Sequence, residues 1–274
     1  MATPVRLPAA VDPNRPSVAR IYDALLGGHH NFAADRAVAT RAVEFLPEIP
    51  GIIAAERAFL LRAVRYAAER GIRQFLELGS GLPAGESVHE AARRGRTGAR
   101  VAYVDWDPTA ILHAREILRE DPDVVAVPGD IQRPETFLAD PELRSVLDFS
   151  EPVCILLVGV LPFLPDSPEL TVAMRRFHDI SAPGSLLVLS HVTASARARQ
   201  FDRLVDLLSR TGTPLAPRDD DQVNALFEGW NPIEPGIVPA ARWHPDPGTP
   251  AGADPASWLT VAGVAVRRQG PLGL

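Results

Sequence analysis

The sequence predicts an α/β fold in which a seven-stranded, mostly parallel sheet is covered by helices on both faces. From residue 74 onward, short and nearly continuous apolar runs alternate with helical stretches, which is typical of buried parallel strands. Before it, between residues 17 and 70, the apolar pattern is helical. Near the end of the chain, two strand-like runs follow each other without an intervening helix, which predicts a terminal antiparallel hairpin.

The chain begins with a predicted flexible tail, because residues 1–16 contain four prolines and no periodicity. Three helices are then expected, over residues 18–26, 35–45 and 51–70. Ser17 is a favourable N-cap for the first of them, and Gly27 with Gly28 ends it. We therefore divide the chain into a flexible tail (1–16), a helical N-terminal cap or lid (17–71) and a sheet domain (72–274).

The sheet domain is defined by alternating strand-like and helical runs. Strands are predicted over residues 74–78, 100–105, 124–130, 153–161, 185–192, 232–240 and 257–266. Helices are predicted over residues 85–94, 108–119, 134–147, 168–180, 195–210 and 219–230. The Pro- and Gly-rich stretch 242–256 is expected to be a loop.

The composition excludes several classes of protein. With 274 residues, 46% of them hydrophobic, the chain can bury the core of one large domain. Cys154 is the single cysteine, which excludes a disulfide scaffold and fits a reducing cytoplasm. No apolar run approaches the ~20 residues of a membrane span, and the N-terminus lacks a signal-peptide stretch. All 28 basic residues are arginine, which excludes a P-loop lysine or a lysine Schiff base.

A glycine-rich turn after the first predicted strand is the most informative segment. The strand ends in Glu77 and leads into Gly79-Ser-Gly81, where glycines allow a sharp turn and close approach of a ligand. The second strand ends in Asp105, which is placed to accept hydrogen bonds from ribose hydroxyls. The third leads to Asp130, which can accept a hydrogen bond from an exocyclic amine such as that of adenine, or can be a turn residue.

Two cofactors fit this pattern, a nicotinamide dinucleotide and S-adenosylmethionine. The dinucleotide fingerprint prefers a third glycine at position 84, which is Ala here, a tolerated replacement. Glu77 favours S-adenosylmethionine, because an acid beside the turn repels a pyrophosphate but suits positively charged amino and sulfonium groups.

The motifs ELGSGLP, YVDWDP, GDI and VLPFLPD, in this order, resemble those of class I S-adenosylmethionine-dependent methyltransferases. The run RPSVARIYDALLGGHHNFAADR (15–36) resembles an actinobacterial S-adenosylmethionine methyltransferase family that is marked by a YDxLLGG-x-x-NF-x-x-DR segment. The likeness covers residues 14–268 and implies a Rossmann-like class I fold and methyl transfer to an unidentified acceptor. The chain departs from this family at Pro162, where a histidine is common.

The resemblance also implies roles for individual residues. Glu77 would face the amino end of the methionine, and Gly79, Ser80 and Gly81 would supply backbone contacts. Asp105 would hold the ribose. The adenine would be bordered by Trp106, Asp130 and Ile131, and the methionine portion would lie near Gly159.

The N-terminal segment is interpreted as a lid over the cofactor that also forms part of the acceptor pocket. Its glycines are explained by a turn, but Tyr22 and Asn31 carry more chemistry than a connector needs, and we assign both to cofactor binding. Arg57 is a candidate for pairing with the cofactor carboxylate, or else forms a surface salt bridge.

A general base is needed if the acceptor is protonated at the working pH, and the candidates are His191, Tyr22 and His30. His191 follows the fifth strand at the ligand edge of the sheet, where a structural role is equally expected. No cluster of His and Cys predicts a metal site.

The expected function is therefore S-adenosylmethionine-dependent methyl transfer to a small-molecule acceptor. The alternatives are an NAD(P)-dependent oxidoreductase and a non-catalytic S-adenosylmethionine-binding protein. The net charge of −6 and the absence of an Asn-Pro-Pro-Tyr-type motif after the fourth strand argue against a nucleic-acid partner. A membrane partner is not expected either, and the sequence leaves the oligomeric state open.

Overall fold

The computed structural model describes residues 11–83, 85–95, 97–193, 198–211, 214–247 and 259–268. Its strands are β1 (Gln74–Leu78), β2 (Arg100–Asp105), β3 (Val124–Pro128), β4 (Val153–Leu157), β5 (Leu186–Val192), β6 (Asn231–Pro232), β7 (Val238–Pro239) and β8 (Thr260–Val266). They form one sheet in the order β3-β2-β1-β4-β5-β8-β6, with β7 also paired to β8. Strands β1 to β5 are parallel, whereas β8 is antiparallel to β5, β6 and β7.

Ten α-helices lie within the described residues. They are α1 (Val18–Leu25), α2 (Ala33–Phe45), α3 (Ile49–Glu69), α4 (Val88–Gly95), α5 (Pro108–Leu118), α6 (Glu135–Leu138), α7 (Pro141–Val146), α8 (Pro168–Ile180), α9 (Ala198–Ser209) and α10 (Asp220–Ala225). Short 3-10 helices cover Leu161–Phe163 and Ala240–Arg242. In this part of the chain, no helix is both long and apolar enough to cross a bilayer.

The predicted α/β fold with a mixed, mostly parallel sheet and a terminal antiparallel arrangement is confirmed. The described residues form eight strands rather than the predicted seven, because the run predicted as one strand over 232–240 divides into the two-residue strands β6 and β7. Pro232, Pro235 and Pro239 lack the N–H donors that a longer ladder needs. The fourth strand ends at Leu157, four residues earlier than predicted, because Gly159 turns the chain with a φ of +69°.

Some predicted segments fall outside the described residues. These are residues 1–10 of the tail, the first residues of the helix predicted over 195–210, the first residues of the last strand and most of the loop predicted over 242–256. The helix predicted over 134–147 consists of two short helices, α6 and α7. Asp140 caps the second of them, since its side chain accepts from the backbone N–H groups of Glu142 and Leu143.

Two apolar layers cover the sheet, as a doubly covered parallel sheet requires. Side chains alternate between the faces along each strand, so that in β4 Cys154 and Leu156 pack toward α3, α4 and α5. Ile155 and Leu157 face the opposite layer, which includes α6, α7 and α8. The single cysteine is therefore a fully buried core residue, as its position within an apolar strand predicts.

A third apolar cluster joins the N-terminal helices to α9. Ile21 of α1, Ala42 of α2 and Ile52 of α3 pack with Phe201 and Leu204 of α9. The cap therefore shares its core with a helix from late in the chain, and α3 also packs directly against the sheet.

A buried cation fixes α1 on α2 and on the start of α5. Arg20 is 4% exposed, and its Nε donates to Oδ2 of Asp35 at 3.0 Å, while Nη1 lies 3.6 Å from Oδ2 of Asp107. Ser17 donates from its hydroxyl to the same oxygen of Asp107 at 2.5 Å and from its backbone N–H to Asp35 at 3.0 Å. Charges removed from water are stable when they are paired and hydrogen-bonded in this way, so this network decides where α1 lies.

We predict that Arg20→Leu lowers the free energy of unfolding by about 3–5 kcal/mol, because two carboxylates are left buried without their cation. The matched control is Arg41→Leu, which removes an exposed ion pair with Glu44 and should cost less than about 1 kcal/mol. Urea unfolding of the three proteins measures both values. Equal losses for the two variants would contradict the assigned role of Arg20.

Candidate active site

A cavity of about 290 Å³ lies beyond the carboxyl ends of β1, β2 and β4, and we call it the polar cavity. Most of the predicted site residues line it: Tyr22, Arg57, Glu77, Gly79, Ser80, Gly81, Asp105, Trp106, Asp130, Ile131 and Gly159. This is the position at which open parallel sheets bind ligands, because the loops after neighbouring strands converge there.

The turn after β1 is held in place by the end of β2. The backbone N–H groups of Gly79 and Ser80 both donate to the carbonyl oxygen of Val104, at 2.8 and 3.2 Å. Gly79 and Gly81 have φ angles of +71° and +65°, the left-handed region that glycine adopts without strain. A Cβ on Gly79 would lie 2.3 Å from Cγ2 of Val160, whereas a Cβ on Gly81 would meet no protein atom within 4 Å. The backbone at Gly81 is therefore open to a ligand.

Asp105 connects the turn to the floor of the polar cavity. Its Oδ2 accepts from the backbone N–H of Gly81 at 2.7 Å, and its Oδ1 accepts from that of Asp107 at 2.8 Å. Burial raises the pKa of Asp105 to about 6, against the lowering effect of these hydrogen bonds. Asp107 is the N-cap of α5, since its side chain accepts from Thr109 N–H at 2.7 Å.

Glu77 and Arg57 place opposite charges at the polar cavity. Burial raises the pKa of Glu77 to about 7; nearby Arg57 opposes this shift, and nearby Asp105 adds to it. The guanidinium of Arg57 donates to the backbone carbonyl of Glu86, and among the described lining residues Arg57 is the one cation. Since this lining is acidic, a pyrophosphate is disfavoured and a cationic ligand is favoured.

Tyr22 reaches the polar cavity from α1, and burial raises the pKa of its phenol above the ordinary value. The turn that follows α1 is built around Asp23. Oδ2 of Asp23 accepts from His30 N–H at 2.9 Å and from the side-chain amide of Asn31 at 2.7 Å. A Cβ on Gly28 would lie 2.0 Å from Oδ1 of Asp23, so any side chain at position 28 would collide with Asp23.

This turn places His30 and Asn31 away from the polar cavity. The amide of Asn31 also donates to Gly28 O at 2.9 Å, and its Oδ1 accepts from Arg36 at 2.8 Å. The exposed ring of His30 lies 4.1 Å from that of His113. The placement argues against cofactor contact by Asn31 and against base catalysis by His30, because both side chains serve the turn or its surface.

His191 is buried outside the lining of the polar cavity. Its Nδ1 donates to the carbonyl of Val192 at 2.6 Å, and its Nε2 accepts from Arg218 at 2.8 Å. Burial lowers the pKa of the ring to about 4. Arg218 also binds Leu161 O and Asp166 and so anchors the segment after β4. The structure thus gives His191 a structural position and argues against its predicted role as a base.

A second cavity of about 110 Å³ adjoins the polar cavity, and we call it the apolar cavity. It lies among α1, α2, α3 and α9, and Tyr22, Gly159 and Phe163 line both cavities. Glu56, which the sequence reasoning missed, also lines the apolar cavity. Its spacing in the sequence could have indicated a buried position, because Glu56 lies four residues after Ile52 and three before Phe59, on the apolar face of α3.

Within the described ranges, no group of three His, Cys, Asp or Glu side chains could hold a metal ion.

The sheet topology, the glycine turn after β1 and the acid ending β2 define the Rossmann-like fold of class I methyltransferases. The profile of the S-adenosyl methyltransferase family matches residues 5–268, and the chain belongs to this family. It is accordingly an S-adenosylmethionine-dependent methyltransferase.

Solved structures agree with this assignment. A protein from Thermobifida fusca that is described as a candidate methyltransferase is 36% identical, covering 97% of this chain and 100% of its own, with a TM-score of 0.89. A DUF574 family protein from Streptomyces avermitilis is 31% identical, covering 94% and 99%, with a TM-score of 0.88. The N-methyltransferase NodS from Bradyrhizobium japonicum, 16% identical over 79% and 98%, shares the fold with a TM-score of 0.50. A search of curated proteins gave no match.

We predict that Gly79→Ala is more damaging than Gly81→Ala. Both variants carry the left-handed strain of about 1–2 kcal/mol, but only Gly79→Ala adds a collision with Val160 that costs about 1–3 kcal/mol more. Chemical denaturation of both variants measures the difference. Equal stabilities would show that the turn moves to accommodate the new methyl group.

We predict that the ligand-free protein loses stability as the pH rises from 4.5 to 7. Folded Glu77 keeps its proton up to a pKa of about 7, whereas the unfolded chain releases it near 4.5. The folded state therefore binds more protons in this window, so the free energy of unfolding falls with rising pH, by on the order of 2 kcal/mol for one group.

Glu77→Gln should reduce this pH dependence, because it removes the titrating group, whereas Glu135→Gln, at an exposed site on α6, should leave it unchanged. Urea unfolding between pH 4.5 and 8 provides the comparison. An identical slope for Glu77→Gln and the parent protein would show that the Glu77 carboxyl does not titrate in this window.

Proposed function

We propose that the polar cavity binds S-adenosylmethionine and that the cap covers it and forms part of the site for a small-molecule acceptor. The observation that carries this proposal is the pair of buried acids, Glu77 and Asp105, beside backbone at Gly81 that no side chain fills. Buried acids stabilise a cationic ligand and repel the pyrophosphate of a dinucleotide. Glu77 and Asp105 therefore favour S-adenosylmethionine over NAD as the ligand of the polar cavity.

Glu77 and Arg57 are suited to the two ends of an amino-acid group. The Glu77 carboxyl lines the cavity, where burial raises its pKa, so a bound ammonium group would favour its ionised form. The guanidinium fork of Arg57 matches a carboxylate. The methionine portion would therefore lie between these side chains, near Gly159 at the end of β4.

Asp105 is suited to ribose hydroxyls, because a carboxylate has further lone pairs beyond those that accept from Gly81 and Asp107. Trp106, which is 68% exposed, lines the cavity next to it and offers a flat apolar surface for adenine. Asp130 and Ile131 border the same end. The backbone of the glycine turn, which is open at Gly81, completes the proposed set.

When bound, S-adenosylmethionine supplies a methyl group on a positively charged sulfur, which keeps the electron pair of the carbon–sulfur bond after transfer. The protein contributes orientation and exclusion of water. Val18, Ala19 and Tyr22 of α1 form the wall of the polar cavity opposite the sheet. Holding two reactants in a closed site accounts for about 7–11 kcal/mol of a bimolecular barrier. Removing Tyr22 from this wall would therefore weaken transfer more than cofactor binding.

A small molecule is the acceptor class that this geometry favours. The space next to the polar cavity is enclosed by α1, α2, α3 and α9, and its walls are apolar. A nucleic-acid strand requires a basic groove, whereas three acids line this site and the chain carries a net charge of −6. The N-terminal cap is thus proposed as a lid whose position is fixed by Arg20.

Calorimetric titration with S-adenosylmethionine, S-adenosylhomocysteine and NAD tests the proposed cofactor site. We expect both adenosyl ligands to bind and Asp105→Asn to weaken them by about 10- to 100-fold, the effect of losing hydrogen bonds to a charged group. Asp202→Asn, at an exposed position on α9, is the matched control and should bind as the parent protein does. Binding of NAD alone, or equal affinity in both variants, would refute the proposed site.

A further inference from the structure

We infer that the apolar cavity is the acceptor site and that Glu56 selects a compact apolar molecule with one hydroxyl group, taking its proton during transfer. This inference rests on the proposed function, since it places the acceptor beside the proposed methyl donor. The observations that carry it are the position of Glu56 at the junction of the two cavities and the nearly uniform apolar character of the remaining lining.

The apolar cavity sets the size and chemistry of the acceptor. Its walls include side chains such as Ile21, Leu46, Phe201 and Leu204, which α1, α2 and α9 contribute. Its volume is about 110 Å³. An apolar cavity on the order of 150 Å³ holds one benzene ring, so this cavity suits an apolar group of about that size.

Glu56 is held by hydrogen bonds that leave one of its oxygens facing the junction. Among the described residues, the recorded hydrogen bonds to its carboxyl all reach Oε1, from Ser190 Oγ at 2.9 Å and Thr260 Oγ1 at 3.1 Å. Ser190 Oγ in turn accepts from the backbone N–H of Gly159 at 2.9 Å. The other oxygen, Oε2, lies 3.1 Å from the position that a Cβ on Gly159 would occupy.

Gly159 lines both cavities, so Oε2 lies where the polar and the apolar cavity meet. The hydrogen-bond chain from Gly159 through Ser190 fixes this position relative to the end of β4. An acceptor atom at this junction would lie beside the proposed methionine portion of the methyl donor. The geometry therefore places a proton acceptor next to the proposed point of transfer.

The number of hydrogen-bond donors in the acceptor's functional group favours a hydroxyl over an amine. A neutral hydroxyl has one O–H donor, which Oε2 satisfies, whereas an ammonium group has three donors and carries a charge into an apolar cavity. Unpaired donors in such a cavity are costly, so the amine is disfavoured. As the hydroxyl oxygen would form its bond to the methyl carbon, the carbon–sulfur bond would break with its electron pair left on sulfur, and the hydroxyl proton would pass to Oε2 of ionised Glu56. The cationic sulfur and the carboxylate would thus both become neutral.

The protonation state of Glu56 changes within an accessible pH range, so its effect on acceptor binding can be measured. Burial raises the pKa of Glu56 to about 7, against the lowering effect of the Ser190 and Thr260 hydroxyls. From α1, the titratable group that faces it is Tyr22, whose pKa burial raises, so Tyr22 does not titrate between pH 6 and 8. From β5 and β8, the facing groups are the two hydroxyls, which do not titrate.

The experiment compares phenol with toluene, which have the same shape but differ in the hydroxyl. Protein saturated with S-adenosylhomocysteine is titrated with each probe at pH 6 and pH 8, followed by NMR chemical shifts. The ionised fraction of Glu56 rises from about a tenth to about nine tenths, so the phenol-to-toluene affinity ratio should rise about five- to tenfold. An ionised carboxylate accepts a stronger hydrogen bond than a neutral acid.

Glu56→Gln should make the ratio independent of pH while S-adenosylhomocysteine still binds. Its amide oxygen can accept from Ser190 and Thr260, which turns the amide N–H₂ toward the junction. The control is Glu69→Gln, the same change at an exposed position of the same helix, and it should retain the rise. If Glu56→Gln does not fold, the pH dependence of the parent protein decides the question.

Three results would overturn the inference: a phenol-to-toluene ratio that is the same at both pH values in the parent protein, a rise that survives in Glu56→Gln, and tighter binding of benzylamine than of phenol. Each would occur with S-adenosylhomocysteine binding intact. Loss of S-adenosylhomocysteine binding in the parent protein would instead refute the proposed function itself, so the two failures are distinguishable.

Discussion

The buried guanidinium of Arg20 is the interaction on which the position of the cap depends. It binds Asp35 of α2 and lies beside Asp107, the N-cap of α5. The backbone of Asp107 donates to Asp105, which in turn accepts from Gly81. One chain of charged and polar contacts therefore runs from the cap to the glycine turn at the floor of the polar cavity. Because the charged members of this chain are buried, moving the cap would leave buried charges without their partners, which is energetically costly.

Burial also determines the electrostatics of the site. Glu77, Asp105 and Glu56 all have raised pKa values, and in each the largest cause is desolvation. Burial destabilises the ionised form of each acid, and a cationic group nearby would stabilise it. The family to which the chain belongs uses a donor with a positive sulfur, and Glu77 and Asp105 at the polar cavity suit such a group. The same desolvation leaves His191 neutral and places it in a structural network with Arg218.

The division of the site into a polar and an apolar cavity follows from the origin of their walls. Strand ends and their loops supply the polar cavity, since backbone N–H groups and terminal acids collect at the carboxyl edge of a parallel sheet. Helices α1, α2 and α9 supply the apolar cavity from their core-facing sides. Gly159 and Tyr22 lie on the boundary and line both. A polar donor and an apolar acceptor could therefore meet there without either entering an unsuitable environment.

The alternation of strands and helices, the glycine turn and the positions of Glu77 and Asp105 could be predicted from the sequence. These features are local, because strand periodicity and turn chemistry act over a few residues, and the carboxyl ends of parallel strands necessarily share one edge. The environments of His191 and Glu56, in contrast, depend on contacts between distant parts of the chain. Glu56 meets Ser190 across 134 residues and Thr260 across 204. No local pattern specifies such contacts, since they arise when the cap, α9 and the last strand pack around a common core.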